Sequence, residues 1–114
     1  MHEFSLAEEV IRIVDAEAEK HRLTGVAEIV IEVGALSGVE TEAFEFSLGI
    51  LAKGTMIENS AIQLIRTTGK GFCKECDLEF EMGSLLDACP GCGFFPGEIR
   101  AGREFRILSI TPDG

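Results

Sequence analysis

Four cysteines, placed as two C-x2-C pairs with 12 residues between them, constrain this chain more than any other feature. The first pair is Cys73 and Cys76, and the second is Cys89 and Cys92. Two cysteines three positions apart in a tight turn can aim both sulfurs at one centre, with backbone N–H groups turned toward them. Two such turns supply four thiolates, which is the donor set of a tetrahedral metal site.

Zinc is the metal that this spacing predicts. Two disulfides are disfavoured by the reducing compartment inferred below, and a redox C-x-x-C motif normally occurs once. Iron remains an alternative, because Cys89-Pro90-Gly91-Cys92-Gly93 resembles a rubredoxin knuckle and four thiolates can also hold a single iron. Four thiolates leave no coordination position for water, so we expect a structural Zn(II) site and not a catalytic one.

Composition and charge narrow the cellular setting. No apolar run approaches the roughly 18 residues that a membrane span needs, and the N-terminus lacks the features of a signal peptide. The net charge is −10, and residues 1–60 carry 12 acidic and 4 basic side chains. Such a surface repels phosphate backbones. We therefore expect a cytoplasmic protein with no membrane and no nucleic-acid partner.

Hydrophobic periodicity predicts two helices and three strands outside the cysteine region. A helix is predicted from Phe4 to about His21, and a second, opened by a capping box of Ser37 and Glu40, to about Lys53. The predicted strands are Val26–Val33, Ala61–Thr67 and Arg103–Ile110. This order predicts an α+β fold: a small mixed three-stranded sheet with two helices on one face and an inserted zinc-ribbon module.

The predicted domains follow from that order. An α/β domain comprises residues 1–69 plus 103–114, and the zinc ribbon comprises residues 70–102. The stretches 68–71 and 100–102 are predicted linkers, because glycine is frequent there. The ribbon has few large apolar residues, so metal binding should supply much of its folding energy.

The N-terminus Met1-His2-Glu3 is the second candidate metal site. Methionine aminopeptidases leave Met1 in place before a bulky residue, so the α-amine, the His2 amide and the His2 imidazole can close adjacent chelate rings. Glu3 can complete the set. Nitrogen-rich, square-planar ligation indicates Ni(II) or Cu(II). The alternative is a frayed terminus in which Glu3 merely complements the helix dipole.

Several motifs in order along the chain resemble the HypA/HybF family of hydrogenase maturation nickel chaperones. They are Met1-His2-Glu3-Phe4-Ser5-Leu6-Ala7, residues 32–40 (EVGALSGVE), Gly54-Thr55, the two cysteine pairs and Gly102-Arg103-Glu104-Phe105. The resemblance implies a nickel-binding α/β domain and a zinc-ribbon domain. It also implies Ni(II) bound near His2, with Glu3 as a ligand in some members.

The same resemblance implies partners. Family members deliver nickel to the large subunit of [NiFe]-hydrogenase with the GTPase HypB, and some also serve urease, so urease accessory proteins are further candidates. Some members have histidines beside the cysteine pairs; residues 70–102 here contain none, so a plain four-cysteine site is expected.

Catalysis is not expected. The chain has no Ser/His/Asp or Cys/His set with a free nucleophile and no G-x-x-x-x-G-K-[ST] motif. Two hypotheses remain: a nickel metallochaperone that uses Met1, His2 and Glu3, and a zinc-ribbon adaptor that acts only through macromolecular contacts.

Overall fold

The computed structural model of the chain describes residues 2–113. Along the chain the elements are α1 (His2–Lys20), β1 (Val26–Gly34), α2 (Thr41–Leu51), β2 (Ala61–Thr67), β3 (Gly69–Cys73), β4 (Leu78–Met82), β5 (Glu98–Ala101) and β6 (Phe105–Pro112). They form two three-stranded sheets, ordered β2-β1-β6 and β4-β3-β5. The predicted α+β class, with two helices, a three-stranded sheet and an inserted cysteine module, is confirmed.

The contacts divide the chain into two compact units. Unit 1 is the chain up to Ile31, Val39–Leu64 and the chain from Ile107 onward. Unit 2 is Glu32–Gly38 together with Ile65–Arg106. The division into a nickel-binding domain of residues 1–69 plus 103–114 and a zinc-ribbon domain of residues 70–102 stays a prediction.

The core of unit 1 is built from the two helices and the first half of β1. On α1 the buried residues are Ala7, Val10, Val14 and Ala18, and α2 packs against this helix with Phe44 and Leu48 buried. In β1, Ile29, Ile31 and Val33 are fully buried, as the alternation of the sequence predicts. Alanines at the helix contact were not predicted as core residues, because hydrophobic periodicity gives little weight to small side chains.

The start of α2 differs from the prediction. Glu40, and not Ser37, is the N-cap: its backbone is extended, with φ −82° and ψ 108°, and its carboxylate accepts the N–H of Glu42 at 3.1 Å. The capping-box prediction was wrong because Gly38 has φ +79°. This turn keeps Ser37 outside the helix, so the cap moves three residues along the chain.

A charged side chain joins all three strands around β1. The Glu32 carboxylate accepts hydrogen bonds from Thr67 of β2 at 2.7 Å and from Arg106 of β6 at 2.5 Å. The Thr67 hydroxyl, followed by Arg106, holds the pKa of Glu32 below its usual value. Glu32 was predicted only as part of a solvated face, since nothing local in the sequence shows its partners.

Both predicted linkers are strand residues. Residues 69–71 open β3, and residues 100–101 close β5. Their glycines serve close packing and not flexibility: a Cβ on Gly69 would lie 2.5 Å from the Leu36 side chain. No helix within the described residues 2–113 is long and apolar enough to cross a membrane.

Replacing Gly34 with alanine should destabilise the protein by about 3 kcal/mol or more, because the new Cβ would meet backbone that cannot rotate away. It would lie 2.0 Å from the carbonyl oxygen of Gly102. Urea unfolding of Gly34→Ala beside the wild type measures this loss. Gly49→Ala is the matched control: its Cβ meets nothing within 4 Å, so stability should be unchanged or rise by up to about 1 kcal/mol. Equal stabilities for the two variants would contradict the assignment.

Candidate metal centres

The four cysteines converge at one end of the second sheet. Cys73 ends β3, Cys76 lies in the turn to β4, and Cys89 and Cys92 lie between β4 and β5. Their sulfurs all lie within 4.8 Å of one another, and Cys73 and Cys92 are 3.6 Å apart. A tetrahedral zinc with Zn–S bonds of about 2.3 Å places its sulfurs roughly 3.8 Å apart. The donor set therefore fits one tetrahedral metal ion.

The two C-x2-C turns, called knuckles from here on, have matching backbone geometry. Each is followed by a residue with positive φ: Asp77 at 51° after Cys76, and Gly93 at 80° after Cys92. Cys73 pairs with Leu78 across the first knuckle, and the Cys89 N–H donates to the Phe94 carbonyl at 2.8 Å across the second. The same local turn thus occurs twice, which is how one short sequence pattern positions four sulfurs.

The thiols of the knuckles have separated acidities. Burial acts to raise the pKa of Cys89, but the backbone N–H groups of Cys92 and Gly91 point at its sulfur and lower the pKa to about 7. Hydrogen bonding to Cys92 and Cys89 raises the pKa of Cys76 to about 12. Four thiolates at this spacing repel one another, so full ionisation requires a cation between them, and metal uptake releases protons.

The predicted nickel ligands lie at the start of α1. Met1 falls outside the described residues. His2 is the first residue of the helix and its side chain is 61% exposed, with Nδ1 3.8 Å from the Glu3 carboxylate. Glu3 is less exposed, because its carboxylate accepts the Glu40 N–H at 3.1 Å. That hydrogen bond is the largest of the effects that lower the pKa of Glu3.

Glu40 is the residue that the sequence analysis did not connect with the N-terminus. It lies 37 positions from Glu3 in sequence, and no local pattern signals such a contact. In the fold its backbone holds Glu3 while its side chain caps α2. One residue therefore fixes both the second helix and a predicted metal ligand.

Known proteins are similar to this chain over nearly its full length. Residues 1–111 match the family described as HypA: hydrogenase/urease nickel incorporation, metallochaperone. Among relatives, the hydrogenase maturation factor HypA of Francisella philomiragia is 38% identical over 111 residues, covering 97% of this chain and 98% of that protein. The HypA of Geobacter sp. strain M21 is 38% identical over 110 residues, covering 96% and 97%.

A solved structure has the same fold. The solution structure of the nickel metallochaperone HypA from Helicobacter pylori superposes with a TM-score of 0.67 at 20% identity, covering 96% of each chain. A second HypA solution structure gives 0.67 at 21% identity, covering 98% of this chain and 96% of the other.

Removing metal from the four-cysteine site should unfold the β3-β4-β5 sheet and leave the helices formed. Between residues 69 and 102 the only buried apolar side chains are Met82, Cys73 and Cys89, so metal binding supplies most of the folding energy, about 10–16 kcal/mol for four-ligand zinc peptides. Hydrogen exchange of the full chain before and after strong chelation measures this, with α1 amides as the internal control. Unchanged protection of β3 after complete metal loss would contradict the prediction.

Proposed function

The chain belongs to the HypA family of hydrogenase/urease nickel-incorporation metallochaperones, and on that basis we propose that it binds Ni(II) at its N-terminus and delivers it for maturation of [NiFe]-hydrogenase. Nickel is cargo in this proposal. The proposed ligands are Met1, His2 and Glu3. The observation that carries the proposal is the position of His2, an exposed imidazole at the first residue of a helix.

The backbone at a helix start suits nitrogen ligation. The first four N–H groups of a helix have no carbonyl partner within it, so the amide nitrogens of His2 and Glu3 can lose their protons to a metal without breaking a helical hydrogen bond. With the His2 imidazole and the terminal amine, they make up the nitrogen-rich set that Ni(II) favours. The helix is therefore retained while nickel is bound.

The same position favours release. The positive end of the helix dipole disfavours a cation by roughly 0.3–1 kcal/mol at an exposed site. The exposed imidazole can leave the metal by rotating about its own side-chain bonds, because no core residue packs over it. A recipient site can then remove the ligands one at a time.

Glu3 has a supporting place in this proposal. Its carboxylate is held by the Glu40 N–H and is aligned beside His2 at 3.8 Å. It can offset the positive charge of nickel with or without direct ligation. The tie to Glu40 also keeps the N-terminus against α2 while the metal is absent.

The four cysteines are proposed to hold a structural Zn(II). Their spacing fits a tetrahedral ion, and a shell filled by four thiolates has no position for substrate or water. The proposed protein is accordingly a carrier and not an enzyme. Its proposed partners are the GTPase HypB, the hydrogenase large subunit and urease accessory proteins, and its proposed location is the cytoplasm.

A second candidate is a zinc-ribbon adaptor that binds no nickel. The observation in its favour is the apolar surface of the ribbon, where Phe94 is 73% and Leu86 80% exposed. A nucleic-acid partner has less support, because Lys70 and Arg100 both pair with Glu79, at 3.9 and 3.3 Å. A tag ahead of Met1 should abolish nickel binding in the chaperone and leave the adaptor unaffected.

Calorimetric titration of the untagged, zinc-loaded protein should give one nickel per chain, and His2→Ala should lose at least about a hundredfold in affinity, since it removes an anchoring ligand of the chelate. His21→Ala is the matched control, because His21 has the same 61% side-chain exposure and pairs with Glu17 on α1. It should bind nickel as the wild type does. Equal binding by all three proteins would overturn the terminal site and favour the adaptor.

Nickel affinity should fall at least about tenfold between pH 7.5 and 5.5, because protons compete for the nitrogen ligands and an ordinary imidazole has a pKa of roughly 6.5. The pKa of Glu3 lies below its usual 4.5, chiefly through the Glu40 N–H, so this carboxylate stays ionised across the window and adds nothing to the slope. Titrations at several pH values measure it. An affinity that does not change would exclude His2 as a ligand.

A further inference from the structure

The second helix has an apolar surface that its own chain leaves uncovered. Phe46 is 72% exposed and Ile50 is 48% exposed, although Phe44 and Leu48 of the same helix are buried. The exposed side of α2 also includes Glu42 and Gly49, and Lys53 follows just past its end. We call Glu42, Phe46, Gly49, Ile50 and Lys53 the α2 stripe.

These five positions share one face. They are separated by three or four residues, or by their multiples, and such residues lie above one another on a helix. Lys53 follows the C-cap Ala52, whose φ of −72° and ψ of −17° are still helical, so it extends the stripe. The stripe therefore runs from an acid at one end, through an apolar centre, to a base at the other.

We propose that the α2 stripe is a docking surface for a second copy of this chain, joined by antiparallel pairing of the two α2 helices about a two-fold axis. In a two-fold contact every residue meets a residue of the same surface. Setting Glu42 against Lys53 of the second copy places Phe46 opposite Gly49, because both pairs are symmetric about the same point of the helix. A single alignment thus satisfies charge and shape together.

Shape complementarity comes from Gly49. A Cβ built on it meets nothing within 4 Å in its own chain, so this position offers a shallow hole on the exposed face. The Phe46 ring of the second copy fits over that hole and against Ile50. A helix gains nothing by itself from an interior glycine, which costs roughly 0.5–1 kcal/mol relative to alanine.

Charge complementarity selects the occupant. Glu42 and Lys53 form no ion pair with each other or with other residues among positions 2–113 for which a salt bridge is found. In the antiparallel pair each forms one across the interface, giving two identical bridges. The overall charge of −10 opposes association, so this pairing is what makes a like-charged copy acceptable at this surface.

The association should be weak. The helix has 11 residues and is roughly 16 Å long, too short to bury by itself the about 1,200 Å² of a stable interface. We expect a dimer that forms in the high micromolar range and dissociates on dilution. High salt should weaken it, because the bridges are exposed.

Sedimentation analysis of the zinc-loaded, nickel-free full chain over a concentration series tests the proposal. Lys53→Glu and Glu42→Lys should each weaken dimerisation at least about tenfold, since each places like charges opposite one another twice. The Glu42→Lys/Lys53→Glu double variant should restore most of it, which only pairing between copies of this surface can do. Arg103→Glu has the same net charge as Lys53→Glu and should dimerise as the wild type does.

Gly49→Gln separates packing from folding. Glutamine is a better helix former than glycine, so the variant should be as thermally stable as the wild type or more so, yet remain monomeric because the hole is filled. A wild type that stays monomeric at every concentration overturns the proposal. So does a dimer that persists in Gly49→Gln and the single charge variants, or a folded double variant that fails to recover.

Discussion

The convergence of four sulfurs is the constraint on which unit 2 depends. Between residues 69 and 102 almost no apolar side chain other than Met82 and two cysteines is buried, so hydrophobic burial cannot offset the conformational entropy of ordering three strands. The knuckles replace a core by a coordination centre. Their positive-φ residues, Asp77 and Gly93, are the local conformations that allow this, and the strands extend from the centre they create.

The sequence predicted those parts of the structure whose signals are local. Alternation located β1 with its buried Ile29 and Ile31, and helical spacing located α1 and α2. Glycine was misread at residues 68–71 and 100–102, because in sequence a glycine required by close packing looks the same as one in a flexible linker. Gly69 lies against Leu36, and only the tertiary structure shows it.

The candidate sites divide in the same way. Cysteine spacing specified the four-thiol cluster in full, since each knuckle is a local motif and repeats itself. The surroundings of Glu3 were not predictable, because its partner Glu40 is 37 positions away and reaches it only through the packing of α1 against α2. The misplaced helix cap hid the same contact: with Ser37 as the cap, Glu40 would have been inside the helix.

The two proposed metal sites are physically opposite, and that difference accounts for a protein that keeps one metal and releases another. The cysteine site uses soft ligands, two of them buried, and its loss removes the fold of the strands around it. The N-terminal site uses exposed nitrogen ligands at the positive end of a helix dipole, and α1 stays folded through the buried residues Val10 and Val14 whether or not metal is present. Release of nickel from such a site costs only its ligand bonds. Release of zinc also costs the packing of unit 2, so the two metals exchange on very different terms within one short chain.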